Sequence, residues 1–238
     1  ASASDTNITY TGKDITIVKA FENNNWVLNI LSDGEKIGEI ALSNFVENFT
    51  TAKTLTPVAN TLDGITFELA SSAKNVGKYA IKVSGKNNNY PGGFKFAGDA
   101  PVLVIDAVKI DNYLTTFEKV YGEPDPALTN IVDGVNGEKV TITFTREKGQ
   151  DVKSYALLTA SASSANYVLK GEGGIYAQTV NLASNSNFTI KAKTGLTISA
   201  TADKSQVKLT YLGKELSLVT AFENNTYVLK VMDGETVL

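Results

Sequence analysis

The chain has 238 residues, 42% hydrophobic and 20% charged, with a formal net charge of −3. That mixture is too apolar for a disordered tail, and the length suits one large domain or two ordinary ones. With no basic cluster it does not suit nucleic acid or an anionic membrane surface, and it contains neither Cys nor His. Disulfides, thiolate chemistry and zinc sites built on Cys or His are therefore excluded, as is the commonest general base. The expectation is a non-enzyme with no catalytic residue, cofactor or metal. No apolar run approaches the ~20 residues of a membrane span. Residues 1–7 lack the basic start and apolar core of a signal peptide, so any export signal is expected upstream.

Along the chain, short runs rich in β-branched and aromatic residues alternate with turn signals. Thr16-Ile17-Val18, Trp26–Leu31, Ile65–Leu69, Val102–Ile105 and Val140–Phe144 read as strands. Asp33-Gly34, Asp63-Gly64, Asp133-Gly134, Asn136-Gly137 and Asp233-Gly234 read as tight turns. One segment, Glu39–Phe49, could be a helix with Ile40, Phe45 and Phe49 on one face, although Ile40-Ala41-Leu42 could equally open a strand.

The chain repeats itself. Ile8–Asp14 recurs as Leu209–Glu215, Ala20–Asn24 as Ala221–Asn225, and Trp26-Val27-Leu28 as Tyr227-Val228-Leu229, at a shift of 211 − 10 = 201. A one-residue slip near Ser32 brings Asp33-Gly34 onto Asp233-Gly234. Inside this period lies a weaker repeat. Asn75–Ala80 followed by Asn89-Tyr90 echoes Asp151–Ala156 followed by Asn166-Tyr167. The expected organisation is a first β-rich domain over 1–108, a second over 109–194, and the start of another copy of the first over 195–238. The expected fold class is mainly β: two tandem sandwich-like domains plus a partial third, in an elongated molecule. The alternative is a β-grasp arrangement in the first domain, if Glu39–Phe49 is helical.

Val120-Tyr121-Gly122-Glu123-Pro124-Asp125-Pro126-Ala127-Leu128-Thr129 resembles the opening of the MBG-type repeat of large bacterial surface proteins. Asp151–Tyr155 and Asn166-Tyr167 resemble the later half of that pattern. The resemblance is good over Phe117–Tyr167 and partial elsewhere. It implies a tandem repeat of an exported protein at the bacterial cell surface, wall- or envelope-attached, of the kind called adhesins or mucus-binding proteins. It names no ligand.

Two functional readings follow. Either the repeats are spacers that hold an adhesive tip away from the cell, or each is a weak module for glycans or glycoproteins of the host or environment, with avidity from multiplicity. The contact candidates for the second reading are Tyr90, Asn88, Asn89 and Trp26. Against them stand a core role for Trp26 and a plain turn role for the triplets Asn23-Asn24-Asn25 and Asn87-Asn88-Asn89. Glu123, Asp125 and Asp133 could be oxygen ligands for calcium, but two prolines and sparse acids favour a rigid turn. The third copy is expected to form the strands Val207–Tyr211, Leu216–Ala221 and Thr226–Met232, turning near Asn224-Asn225. Its apolar side chains should then be covered by the second domain or by another molecule, so the chain is either a monomer or self-associates through this tail.

Overall fold

The computed structural model describes residues 5–42, 45–47, 52–53, 62–88, 91–96, 99–193, 197–200, 207–211 and 214–238. The fold is mainly β, with several small sheets, and among the described residues the only helical turns are two short 3-10 turns. No helix among the described residues is long and apolar enough to cross a membrane.

Two compact units are present. The first comprises Ala1–Thr115, Leu128–Arg146 and Leu157–Asn185; the second comprises Thr116–Ala127, Glu147–Ala156 and Ser186–Leu238.

In the first unit, an antiparallel meander runs through Ile15–Glu22, Asn25–Ser32 and Glu35–Ala41. Its first turn is Asn23-Asn24, both residues with positive φ (48° and 59°), a conformation that Asn tolerates well among residues bearing a Cβ. A four-stranded sheet has the order Thr6–Thr9, Val102–Asp106, Gly77–Gly85, Ile65–Leu69, parallel at its first pair and antiparallel after it. Leu28 and Ile30 of the meander and Ile65, Phe67, Ile81, Leu103 and Ile105 of the sheet are all buried. Ile8 and Ile30 both lie within van der Waals range of the place a Cβ on Gly38 would occupy, which brings the two layers into contact there.

Of the two readings of Glu39–Phe49, helix or strand, the described residues take the strand. Glu35–Ala41 and Phe45–Glu47 are strands, while residues 43–44 and 48–49 lie outside the described set. The reason is pairing: Ile40 lies opposite Leu28, and Ile40 and Leu42 are buried while Glu39 and Ala41 are exposed. Period-two burial of that kind belongs to a strand with one covered face. The β-grasp alternative loses its helix with it.

The same unit holds an antiparallel sheet of Thr129–Asp133, Lys139–Arg146, Leu157–Ala162 and Thr179–Asn181, and a smaller one of Val108–Ile110, Tyr167–Lys170 and Tyr176–Ala177. Val140, Ile142, Phe144, Ala160 and Val180 are buried, and Tyr113 stacks at 6.3 Å on Phe144 while donating to the Lys170 carbonyl at 2.7 Å.

The second unit contains Phe117–Val120, Phe188–Lys191 and Ser154–Tyr155 as one sheet. A five-stranded meander follows through Thr197–Ala200, Val207–Tyr211, Lys214–Glu223, Thr226–Asp233 and Thr236–Val237. The hairpin turning at Asn224-Asn225 forms as expected. Leu209 and Leu216 of this meander are buried, while Phe222, Tyr227 and Leu229 are exposed.

Candidate functional site

The richest polar constellation of the first unit joins residues from the two expected repeats. Tyr10 follows the strand Thr6–Thr9, and its N–H extends that parallel ladder to the Asp106 carbonyl at 2.8 Å. Its hydroxyl donates to Glu138 Oε1 at 2.7 Å, and the Tyr167 hydroxyl donates to Glu138 Oε2 at 2.7 Å. One carboxylate thus receives two phenols, and the phenol rings meet edge to face at 5.8 Å. The Tyr167 oxygen in turn accepts the Val135 N–H at 3.0 Å.

Electrostatics follow from this geometry. Burial, and then the adjacent Glu138 carboxylate, push the Tyr10 and Tyr167 hydroxyls up to about 12. The two donated hydrogen bonds, with a smaller contribution from Lys74, hold the Glu138 carboxyl below its ordinary range.

Local sequence makes the fit possible. A Cβ on Gly134 would lie 2.3 Å from the Tyr167 hydroxyl oxygen, so only glycine lets the ring lie there. Gly12, at φ +75°, would place a Cβ 3.0 Å from that of Asn136.

Asn166 completes the contact. Its Nδ2 donates to Asn75 Oδ1 at 2.9 Å, its Oδ1 accepts the Val76 N–H at 2.9 Å, and its backbone carbonyl accepts the Val108 N–H at 2.9 Å. From there Val108–Ile110 runs parallel to Tyr167–Leu169. The Asn-Tyr pair is therefore spent on the preceding repeat. Beside it lies an open hollow of about 460 Å³, lined by Gly12, Lys13, Asp14, Asp33, Lys74 and Asn136; it is polar, and no aromatic ring lines it.

In the second unit, the Tyr121–Pro126 turn closes over a buried lysine. Lys119, with 3% of its side chain exposed, pairs with Asp125 at 2.7 Å and donates to the Glu123 carbonyl at 2.9 Å and to Gln150 Oε1 at 2.5 Å. Three donors meet three oxygens, so the chain places its own ammonium among the oxygens weighed as calcium ligands. Asp133, the third of those acids, pairs instead with Lys139. Among the described residues, no cluster of three or more acidic side chains could hold a metal.

Of the four contact candidates, two lie among the described residues. Trp26 is a core residue, edge to face with Phe21 at 5.2 Å, and its backbone carbonyl accepts the Leu42 N–H. Asn88 lies exposed in a turn, and Asn89 and Tyr90 lie outside the described residues. Glu138 and Lys119 were not singled out from sequence. The signal for the first was a recurring Asn-Tyr pair that needs polar partners; for the second, two acids two residues apart that need a cation.

No curated protein and no solved structure matches the chain. Residues 114–175 match the family model of the MBG domain, YGX type, so this stretch, with both the Tyr121-Gly122 turn and the Asn166-Tyr167 pair, is an MBG-type repeat.

Proposed function

We propose that the chain is a tandem-repeat segment of an exported bacterial surface protein, acting as a non-enzymatic spacer that holds an adhesive region away from the cell. In this reading residues 1–108, 109–194 and 195–238 are successive units. The observation that carries it is the use of Asn166 and Tyr167: both make structural contacts to the preceding repeat, and neither is presented to a ligand. The burial of Trp26 supports the same reading, since it removes a stacking platform that the glycan-binding alternative would use. A joint with reciprocal side-chain hydrogen bonds stiffens a spacer, and each unit needs only its sequence neighbours for support.

Small-angle scattering tests the arrangement. The radius of gyration should lie well above the ~18 Å of a compact chain of this length, and a value near that figure overturns the tandem reading. A glycan array tests the role. Saturable binding to one glycan class, lost on Tyr90→Ala, overturns the spacer in favour of a binding module.

A further inference from the structure

The joint in the first unit has an exposed counterpart in the second unit. Thr6 pairs with Leu103, which pairs with Tyr79; Phe117 pairs with Phe188, which pairs with Tyr155. Four residues on from Thr6, the Tyr10 N–H reaches the Asp106 carbonyl at 2.8 Å; four on from Phe117, the Tyr121 N–H reaches the Lys191 carbonyl at 2.9 Å. Tyr79 donates its hydroxyl to the Asn75 carbonyl at 2.8 Å, and Tyr155 donates to the Asp151 carbonyl at 3.1 Å. Tyr10, Asn75 and Val76 therefore correspond to Tyr121, Asp151 and Val152. The first three are the residues that receive Tyr167 and Asn166. The second three are open: Tyr121 is 49% and Val152 51% exposed, and Asp151 is exposed.

We infer that the surface formed by Tyr121, Asp151 and Val152 is a docking site for a further copy of the first repeat, which enters through the pair that is Asn89-Tyr90 in residues 1–108. The chemistry matches the occupied joint. An asparagine carbonyl oxygen accepts the Val152 N–H, as Asn166 Oδ1 accepts that of Val76. The asparagine amide donates to Asp151, as Asn166 Nδ2 donates to Asn75, with a carboxylate now in the acceptor position. The incoming tyrosine ring meets Tyr121 edge to face, as Tyr167 meets Tyr10. A glycan at the same place would stack on Tyr121 but has no need of the asparagine.

The inference rests on the tandem reading above, and the experiment separates the two. Leu238 stands where Gly38 stands in the first copy, at a shift of 200, so appending a copy of residues 39–108 after Leu238 completes another first-type unit. Hydrogen exchange then reads the Val152 amide, with the loss of Tyr227 nitration showing that the added unit has folded. The expected result is exchange at Val152 slowed by about tenfold or more relative to the 238-residue chain. That protection should vanish when the appended counterpart of Asn89 is changed to Ala, and persist in Asn89→Ala. Unchanged Val152 exchange with a folded added unit overturns the docking, as does protection that survives the Ala change. An extended molecule that scatters as a rod while Val152 stays unprotected leaves the spacer standing and removes only the docking. Should the added unit fail to fold, the 238-residue chain is read at rising concentration. Protection of Val152 that grows with concentration and disappears in Asn89→Ala supports the site, and none at the highest concentration overturns it.

Discussion

The hairpin made by Ile15–Glu22 and Asn25–Ser32 and the hairpin made by Lys214–Glu223 and Thr226–Asp233 share about half their residues, and locally they are the same object. Both turn on an Asn-Asn pair with φ between 48° and 59°, and both set an aromatic pair across the strands beside it, Phe21 on Trp26 and Phe222 on Tyr227. Their surroundings differ. Leu28 is 0% exposed and its counterpart Leu229 is 62% exposed; Trp26 is buried and Tyr227 is 77% exposed. The preceding strand differs too: Thr6–Thr9 pairs in parallel with Val102–Asp106, whereas Val207–Tyr211 folds back antiparallel on Lys214–Glu223. Turn chemistry and alternation therefore suffice to make the ribbon. Burial, and the pairing of the strand before it, differ between two ribbons that are locally alike, so they are set by more than the ribbon's own residues.

The sharpest way to break this comparison is to truncate the matched leucines. Leu28→Ala removes a buried side chain and leaves a cavity, so it should cost about 2–5 kcal/mol in urea unfolding of the first unit. Leu229→Ala, at the equivalent site, should stay within about 0.5 kcal/mol. Equal losses at the two sites would mean that the third-copy hairpin is covered in solution.

A smaller effect is expected from the matched tyrosines. Tyr10→Phe deletes a hydrogen bond to the Glu138 carboxylate and should cost about 1.5–3 kcal/mol, while Tyr121→Phe should cost within about 0.5 kcal/mol. The joint also has a definite pH signature. With folded-state values raised to about 12, the contribution of Tyr10 and Tyr167 is complete below the unfolded tyrosine range near 10 and is lost as pH rises through about 12. Glu138, whose value is lowered, contributes above the ordinary carboxylate range and loses that contribution as pH falls through its depressed value. Stability-versus-pH curves of Tyr10→Phe and Glu138→Gln should flatten in those two windows respectively. An unchanged alkaline limb in Tyr10→Phe would remove Tyr10 from the joint.

What could be read from sequence was whatever is local or repeated. The Asn-Asn and Asp-Gly turns, the strand runs, the 201-residue shift and the stretch from Phe117 to Tyr167 all carry their signal in a few adjacent residues or in self-similarity. Glu39–Phe49 stayed open between helix and strand because Ile40, Phe45 and Phe49 could share a helical face, while the period-two run from Glu39 to Leu42 is decided by a partner strand ten or more residues upstream. Glu138 was invisible for a different reason. It stands 128 residues from Tyr10, and nothing near it in the chain says that two phenols will converge on it. Lys119 carries no signal of its own in the sequence, since only the folded turn shows that three oxygens enclose it.

The smallest expected effect tests the part of the comparison in which the two copies agree. Asn24 and Asn225 both have φ 59°, a conformation in which a Cβ approaches the following carbonyl oxygen and which Asn offsets by local hydrogen bonding. Replacing either with Ala keeps the Cβ and removes the amide, so each change should cost about 1 kcal/mol. Because that cost arises within the turn, it should be the same in the covered and the uncovered hairpin. Its consequences should differ. Amide exchange across Ile15–Ser32 starts from the protection of a packed core, so a severalfold rise in opening still leaves the ribbon closed. The same rise in the Lys214–Asp233 ribbon, held by its own strand pairs with Tyr227 and Leu229 in solvent, should bring its amides close to unprotected exchange. A loss in Asn24→Ala several times that in Asn225→Ala would show that the first turn is held by tertiary contacts, and that the two ribbons are not locally alike.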